Sequence, residues 1–120
     1  MSPLADLTFE HPSEDVVVAH VAGELDRSNA GAVEEAIEAA VPNAALTLIL
    51  DLSGTTYLDS SGIHLLYDLR SRLERRQQQL LLVVPEGARI ARVLTVVALE
   101  KSVRIYPVLG EALEVARSGG

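Results

Sequence analysis

A chain of 120 residues, 48% of them apolar, has room for one compact domain over 1–120 and enough hydrophobic material for a real core. Ten Lys and Arg against 17 Asp and Glu give a formal charge of −7, which argues against a partner with a phosphate backbone, and the lack of cysteine excludes disulfides, thiol nucleophiles and zinc knuckles. Three separated histidines (His11, His20, His64) make no metal set, no apolar run is long enough to span a bilayer, and the N-terminus lacks signal-peptide regions, so a cytoplasmic domain without cofactor is expected. Leu7 and Phe9 alternate with polar neighbours and predict an edge strand over about Leu4–Glu10. The turn chemistry of His11-Pro12-Ser13-Glu14-Asp15 leads into a returning strand from Val16 to Val21, which predicts an antiparallel hairpin. Ala30, Val33, Ile37, Ala40 and Val41 then recur at helical spacing, with Ser28 or Asn29 as cap and Pro42 as stop. Leu46–Leu52 is almost continuously apolar, as befits a strand covered on both faces, and Leu80–Val84 is a second such strand. A helical stripe of Ile90, Val93, Leu94 and Val97, a short strand over Val103–Tyr106 and a closing helix over Glu111–Arg117 complete the chain. The order β-β-α-β-α-β-α-β-α predicts an α/β domain whose mixed sheet starts with a hairpin and continues through right-handed crossovers.

One segment concentrates the polar chemistry. Asp51-Leu52-Ser53-Gly54-Thr55-Thr56-Tyr57-Leu58-Asp59-Ser60-Ser61-Gly62-Ile63 joins the third strand to the second helix and is the densest run of hydroxyls in the chain. Loops at the carboxyl ends of parallel strands are where α/β folds usually carry sites. Locally, Asp59, Ser60 or Ser61 serves as the N-cap of the second helix, and capping is the simplest reading of these residues. The same geometry tolerates a phosphoryl group on a serine, because free amides and the positive end of the dipole favour an anion. Asp59, with Glu24 and Asp26, would leave such a charge without local neutralisation. On that helix Gly62, Leu65, Leu66, Leu69 and Leu73 form the core stripe. Ser60, Ile63 and Tyr67 fall together on the flank with His64 beside them, so Ile63 and Tyr67 are expected either to pack against the first helix or to centre a partner interface.

Asp59-Ser60-Ser61-Gly62-Ile63 after a Leu-rich strand resembles the signature of the STAS-domain anti-sigma factor antagonists, and Gly23-Glu24-Leu25-Asp26 resembles their other recurrent element. The likeness continues through the Ile105 strand to Glu111-Ala112-Leu113, nearly the whole chain. It implies a STAS-like α/β domain with helices mainly on one side of the sheet, and a binding protein rather than an enzyme. Its implied partner is an anti-sigma factor that is also a serine/threonine kinase, so that binding releases a sigma factor. Phosphorylation of the first serine of the motif, here Ser60, would abolish binding until a phosphoserine phosphatase reverses it, with no direct role for nucleic acid or membrane. The implied partner surface comprises Gly23, Glu24, Leu25, Asp26, Asp59, Ser60, Ser61, Gly62, Ile63, His64 and Tyr67. His64 replaces a small residue common in relatives, and Arg27-Ser28-Asn29 is this chain's own variation; both bear on which partner is recognised.

Other readings fit less of the pattern. A serine-hydrolase elbow needs glycine two residues before the nucleophile, where this chain has Leu58. An aspartate-phosphorylated receiver would use Asp51 and Lys101, but Gly23 and Leu25 break up the acidic pair such a domain expects at the end of its first parallel strand. STAS-like domains also serve lipid-transport complexes, signalling assemblies and the tails of anion transporters, which keeps the fold and changes the partner. No P-loop is present to cradle a nucleotide.

Overall fold

The computed structural model describes residues 5–118. They form β1 (Asp6–Glu10), β2 (Val16–Leu25), α1 (Ala30–Ala40), β3 (Thr47–Leu58), α2 (Ser60–Arg75), β4 (Gln79–Val83), α3 (Arg89–Val96), a 3-10 turn (Leu99–Lys101), β5 (Arg104–Tyr106) and α4 (Leu109–Arg117). The sheet has five strands in the order β1-β2-β3-β4-β5. β1 is antiparallel to β2 and every later pairing is parallel. The α/β class, the mixed sheet and the element order agree with the sequence reading; Leu4, placed at the start of the first strand, lies outside the described residues.

Strand progression in one direction, combined with right-handed crossovers, sends every crossover helix to the same face of the sheet. α1, α2 and α3 accordingly share one apolar layer with Val17, Ala19 and Val21 of β2, Leu48, Leu50 and Leu52 of β3, and Leu80 and Leu82 of β4. The alternate residues Val16, Val18, Ile49, Leu81 and Val83 point the other way and are covered by α4 through Ala112 and its neighbours. β4 and the first half of β3 are therefore buried on both faces, which explains their unbroken apolar runs.

Where α4 no longer covers the second face, the inward residues turn polar. His20 Nδ1 lies 2.7 Å from Asp51 Oδ2 on the neighbouring strand, and its Nε2 is 3.5 Å from Glu10 on β1. Asp51 also accepts hydrogen bonds from the amide and hydroxyl of Ser53. Burial pushes the Asp51 carboxyl up, but those bonds and His20 outweigh it and hold it below the ordinary carboxylate range.

The main departure from the sequence reading is the length of the central strands. β2 runs on to Leu25 and β3 to Leu58, so the hydroxyl-rich segment is strand rather than loop up to the helix itself. Pairing survives through register shifts between His20 and Ala22 and between Gly23 and Glu24. Gly23 takes the second of these at φ +99°, a conformation that side chains resist. At the first, Gly54 lies so close to Ala22 that an added Cβ would sit 2.9 Å from the alanine methyl. The Thr55 hydroxyl donates to the Val21 carbonyl at 2.8 Å, satisfying a buried polar atom in the irregular stretch.

Candidate functional site

The two sequence motifs meet at the carboxyl ends of β2 and β3. Glu24-Leu25-Asp26 makes a platform that Asn29 ties together from below. The wholly buried Asn29 side chain accepts from the Asp26 amide at 3.0 Å and donates to the Glu24 carbonyl at 2.7 Å. Asn29 occupies the N-cap position of α1, yet its side chain makes no forward capping bond; it braces the strand end instead. Asp26 folds onto its own turn, accepting from the Ser28 amide and hydroxyl, while its carbonyl receives the amides of Asn29 and Ala30.

The start of α2 sits on this platform. Asp59, not either serine, caps the helix: its Oδ1 accepts from the amides of Ser61 at 2.8 Å and Gly62 at 3.1 Å. Its Oδ2 accepts from the Arg27 amide at 3.2 Å, and its own amide donates to the Leu25 carbonyl. Ser61 supports the helix through its backbone alone. Gly62 is there because nothing larger fits: a Cβ would lie 2.9 Å from the Leu25 carbonyl oxygen and 3.0 Å from a Leu58 methyl. Each motif therefore supplies the other's missing contact.

Ser60 is the first residue of α2 and is exposed. Beside it runs a polar groove of about 320 Å³ between the amino-terminal halves of α1 and α2, lined by Arg27, Ala30, Gly31, Glu34, Ser60, Ser61, His64, Leu65 and Asp68. Farther along, Arg72 of α2 reaches Glu38 at 3.0 Å and Glu34 at 3.6 Å on α1. Burial pushes the Glu34 carboxyl up, Asp68 and Glu38 push it further, and Arg72 opposes them.

Several expected partner residues sit differently from the sequence reading. The core stripe Gly62, Leu65, Leu66, Leu69 and Leu73 is buried as expected. Leu25 is wholly buried and Gly62 packs beneath the helix, so neither presents a side chain to a partner; both shape the surface from underneath. Ile63 and Tyr67 are half-buried against the core, and the Tyr67 hydroxyl donates to the Val97 carbonyl at 3.2 Å. Tyr67 thus joins α2 to the end of α3 and is not among the residues that line the groove beside Ser60. Gly23, Glu24, Asp26, Asp59, Ser60, Ser61 and His64 do gather at one end of the molecule.

At that end Tyr57 escaped the sequence reading, and Arg27, read only as a variation that bears on the partner, proves to line the groove. Tyr57 is 49% exposed and pairs in register with Glu24, an aromatic ring displayed on the last turn of strand before Asp59. Arg27 lines the groove and touches Asp59 through its amide. The signal for Tyr57 was a lone aromatic among hydroxyls, hidden once that stretch was read as a loop. A mostly apolar recess of about 450 Å³ between α3 and the β4–β5 end holds none of these residues. Among the described residues no His, Asp and Glu group could hold a metal ion, and no helix is long and apolar enough to cross a membrane.

Residues 11–112 match the family model of the STAS domain. The chain belongs to the STAS domain family. This STAS domain is 32% identical over 104 residues to the anti-sigma-F factor antagonist RsfB of Mycobacterium tuberculosis, covering 87% of this chain and 84% of that protein. It is 31% identical over 97 residues to the anti-sigma-B factor antagonist of Listeria monocytogenes, covering 81% and 84%. Its fold superimposes on the crystal structure of an anti-sigma factor antagonist from Mycobacterium paratuberculosis with a TM-score of 0.84 at 29% identity, covering 98% of this chain and 97% of that one. The STAS domain thus matches, over most of its length, proteins named as anti-sigma factor antagonists.

Proposed function

We propose that this STAS domain is an anti-sigma factor antagonist whose unphosphorylated form binds an anti-sigma factor serine kinase and thereby frees a sigma factor. The observation that carries this reading is the placement of Ser60: exposed, at the first position of α2, on a rigid platform that holds Asp59 and Gly62. It is supported by the relatives' names and by their match over most of both chains.

The switch is a phosphoryl transfer. Ser60 Oγ bonds to the γ-phosphorus of ATP held by the kinase, the bond to the bridging oxygen breaks, ADP leaves, and the hydroxyl proton passes to the kinase's base. A phosphatase reverses it by adding water across the phosphoester. The chain supplies an acceptor and a surface, and the partner supplies the catalysis. The phosphate adds about −1.5 to −2 charges at neutral pH to a contact that must lose water to form. No refolding is required. The surface comprises Glu24, Asp26, Asp59, Ser60, Ser61 and His64, with Tyr57 as the exposed aromatic at its edge.

The test is reconstitution with the cognate kinase and ATP, followed by phosphosite mapping. Ser60→Ala should bind the kinase and stay unmodified, and Ser60→Asp should bind at least about tenfold more weakly. A phosphate mapped to Ser61, Ser53 or Thr56, or a folded Ser60→Ala that no longer binds, overturns the assignment.

A further inference from the structure

The groove beside Ser60 is graded along its length. At the Ser60 end stand Arg27 and His64; one turn farther stand Glu34 and Asp68; farther still Arg72 closes α2 onto α1. The basic end is the unexpected part in a chain of formal charge −7. We propose that Arg27 and His64 form a phosphate clamp that draws a phosphoryl group on Ser60 into the α1–α2 groove. The proposal rests on Ser60 being the acceptor.

The nearby carboxylates are mostly committed elsewhere. Both oxygens of Asp59 accept backbone amides, from Ser61 and Gly62 on one side and from Arg27 on the other. Asp26 is turned onto Ser28. Glu34 is drawn to Arg72, away from Ser60. Glu24 at the end of β2 is exposed, and Asp68 lies two helical turns from Ser60. Among the described residues no carboxylate lies within ion-pair distance of the Arg27 guanidinium. That guanidinium is therefore available, and its planar fork matches phosphate oxygens two at a time. His64 stands one turn after Ser60 on the same helix, so its ring is within reach of a group attached to Oγ. When protonated it adds a second positive charge.

The clamp changes what phosphorylation does. The added anion is partly neutralised within the molecule, and His64 is withdrawn from the surface offered to the partner. Release then comes from loss of that contact as well as from repulsion.

The deciding experiment is a phosphorus NMR titration of the full chain carrying phosphoserine at position 60, placed there during translation so that no kinase is needed. A free phosphoserine loses its second proton near pH 6. In the clamp that midpoint should fall by about half a pH unit or more, and Arg27→Ala or Arg27→Gln should restore it, with His64→Gln restoring part. A midpoint unchanged by Arg27 substitution, or raised by the surrounding carboxylates, overturns the clamp. Because the Arg27 contact with Asp59 uses the backbone amide, a side-chain change leaves that contact in place. Failure of the underlying reading is separate: the kinase would then leave Ser60 unmodified whatever the titration shows.

Discussion

Of the three residues that the sequence offers as cap of α2, Asp59, Ser60 and Ser61, Asp59 takes the role. Its carboxylate takes three amides, two at the start of α2 and one from Arg27. Asp59→Ala should therefore cost about 1–2 kcal/mol in chemical denaturation, whereas Asp59→Asn, an equally good cap, should cost much less. Ser61→Ala should stay within about 0.5 kcal/mol of the parent, since only its amide is engaged. Gly62→Ala forces a methyl against the Leu25 carbonyl and should cost about 1–3 kcal/mol. On the far side of the sheet, Asp51 gives a pH dependence of known sign. Its folded carboxyl titrates below the ordinary value, so it stabilises the fold above about pH 4 and loses that contribution as pH falls through the depressed value. The stability gap between the parent and Asp51→Asn, measured by urea denaturation, should be full at neutral pH and close on acidification below that point. A gap independent of pH would mean that Asp51 acts by packing alone.

Helix α2 mediates between its two neighbours, and each flank makes a different kind of contact. Toward α3 it uses Tyr67, whose hydroxyl reaches Val97; Tyr67→Phe should lose about 0.5–1.5 kcal/mol of stability and leave kinase binding unchanged. A Phe variant that weakens binding without lowering stability would return Tyr67 to the partner surface. Toward α1 it uses Arg72 against Glu34 and Glu38. Helices read well from sequence because their apolar stripes repeat: all five residues of the α2 stripe are buried, and Ala30, Val33 and Ile37 are buried in α1. The strand ends read poorly because what continues them is not apolar alternation. Two glycines, a register shift at each, and a Thr55 hydroxyl carry β2 and β3 past the point where their periodicity stops. The motifs themselves were legible. Their mutual contact was not, since Leu25 to Asp59 and Arg27 to Asp59 are pairings across more than thirty residues that only the parallel sheet creates.

Over the whole molecule, charge and topology set how the site is reached and how it is made. With a formal charge of −7 and Glu24, Asp26 and Asp59 around the motif serine, association with a basic partner face should be steered electrostatically. Raising ionic strength from about 0.05 to 0.5 M, which shortens the screening length to a few Å, should slow association more than it speeds dissociation. Stopped-flow rates indifferent to salt would remove the acidic rim from the encounter. The strand order has a consequence of another sort. Each strand pairs with the strand synthesised just before it, so the sheet can grow in the order in which the chain leaves the ribosome, with no strand wedged between two already joined. Every residue of the platform and groove lies between Gly23 and Arg72, and β4 pairs with the free edge of β3 beside them. A nascent chain that has emerged as far as β4 already carries all the groups of the proposed switch, and the later β5 and α4 finish the far edge and the opposite face.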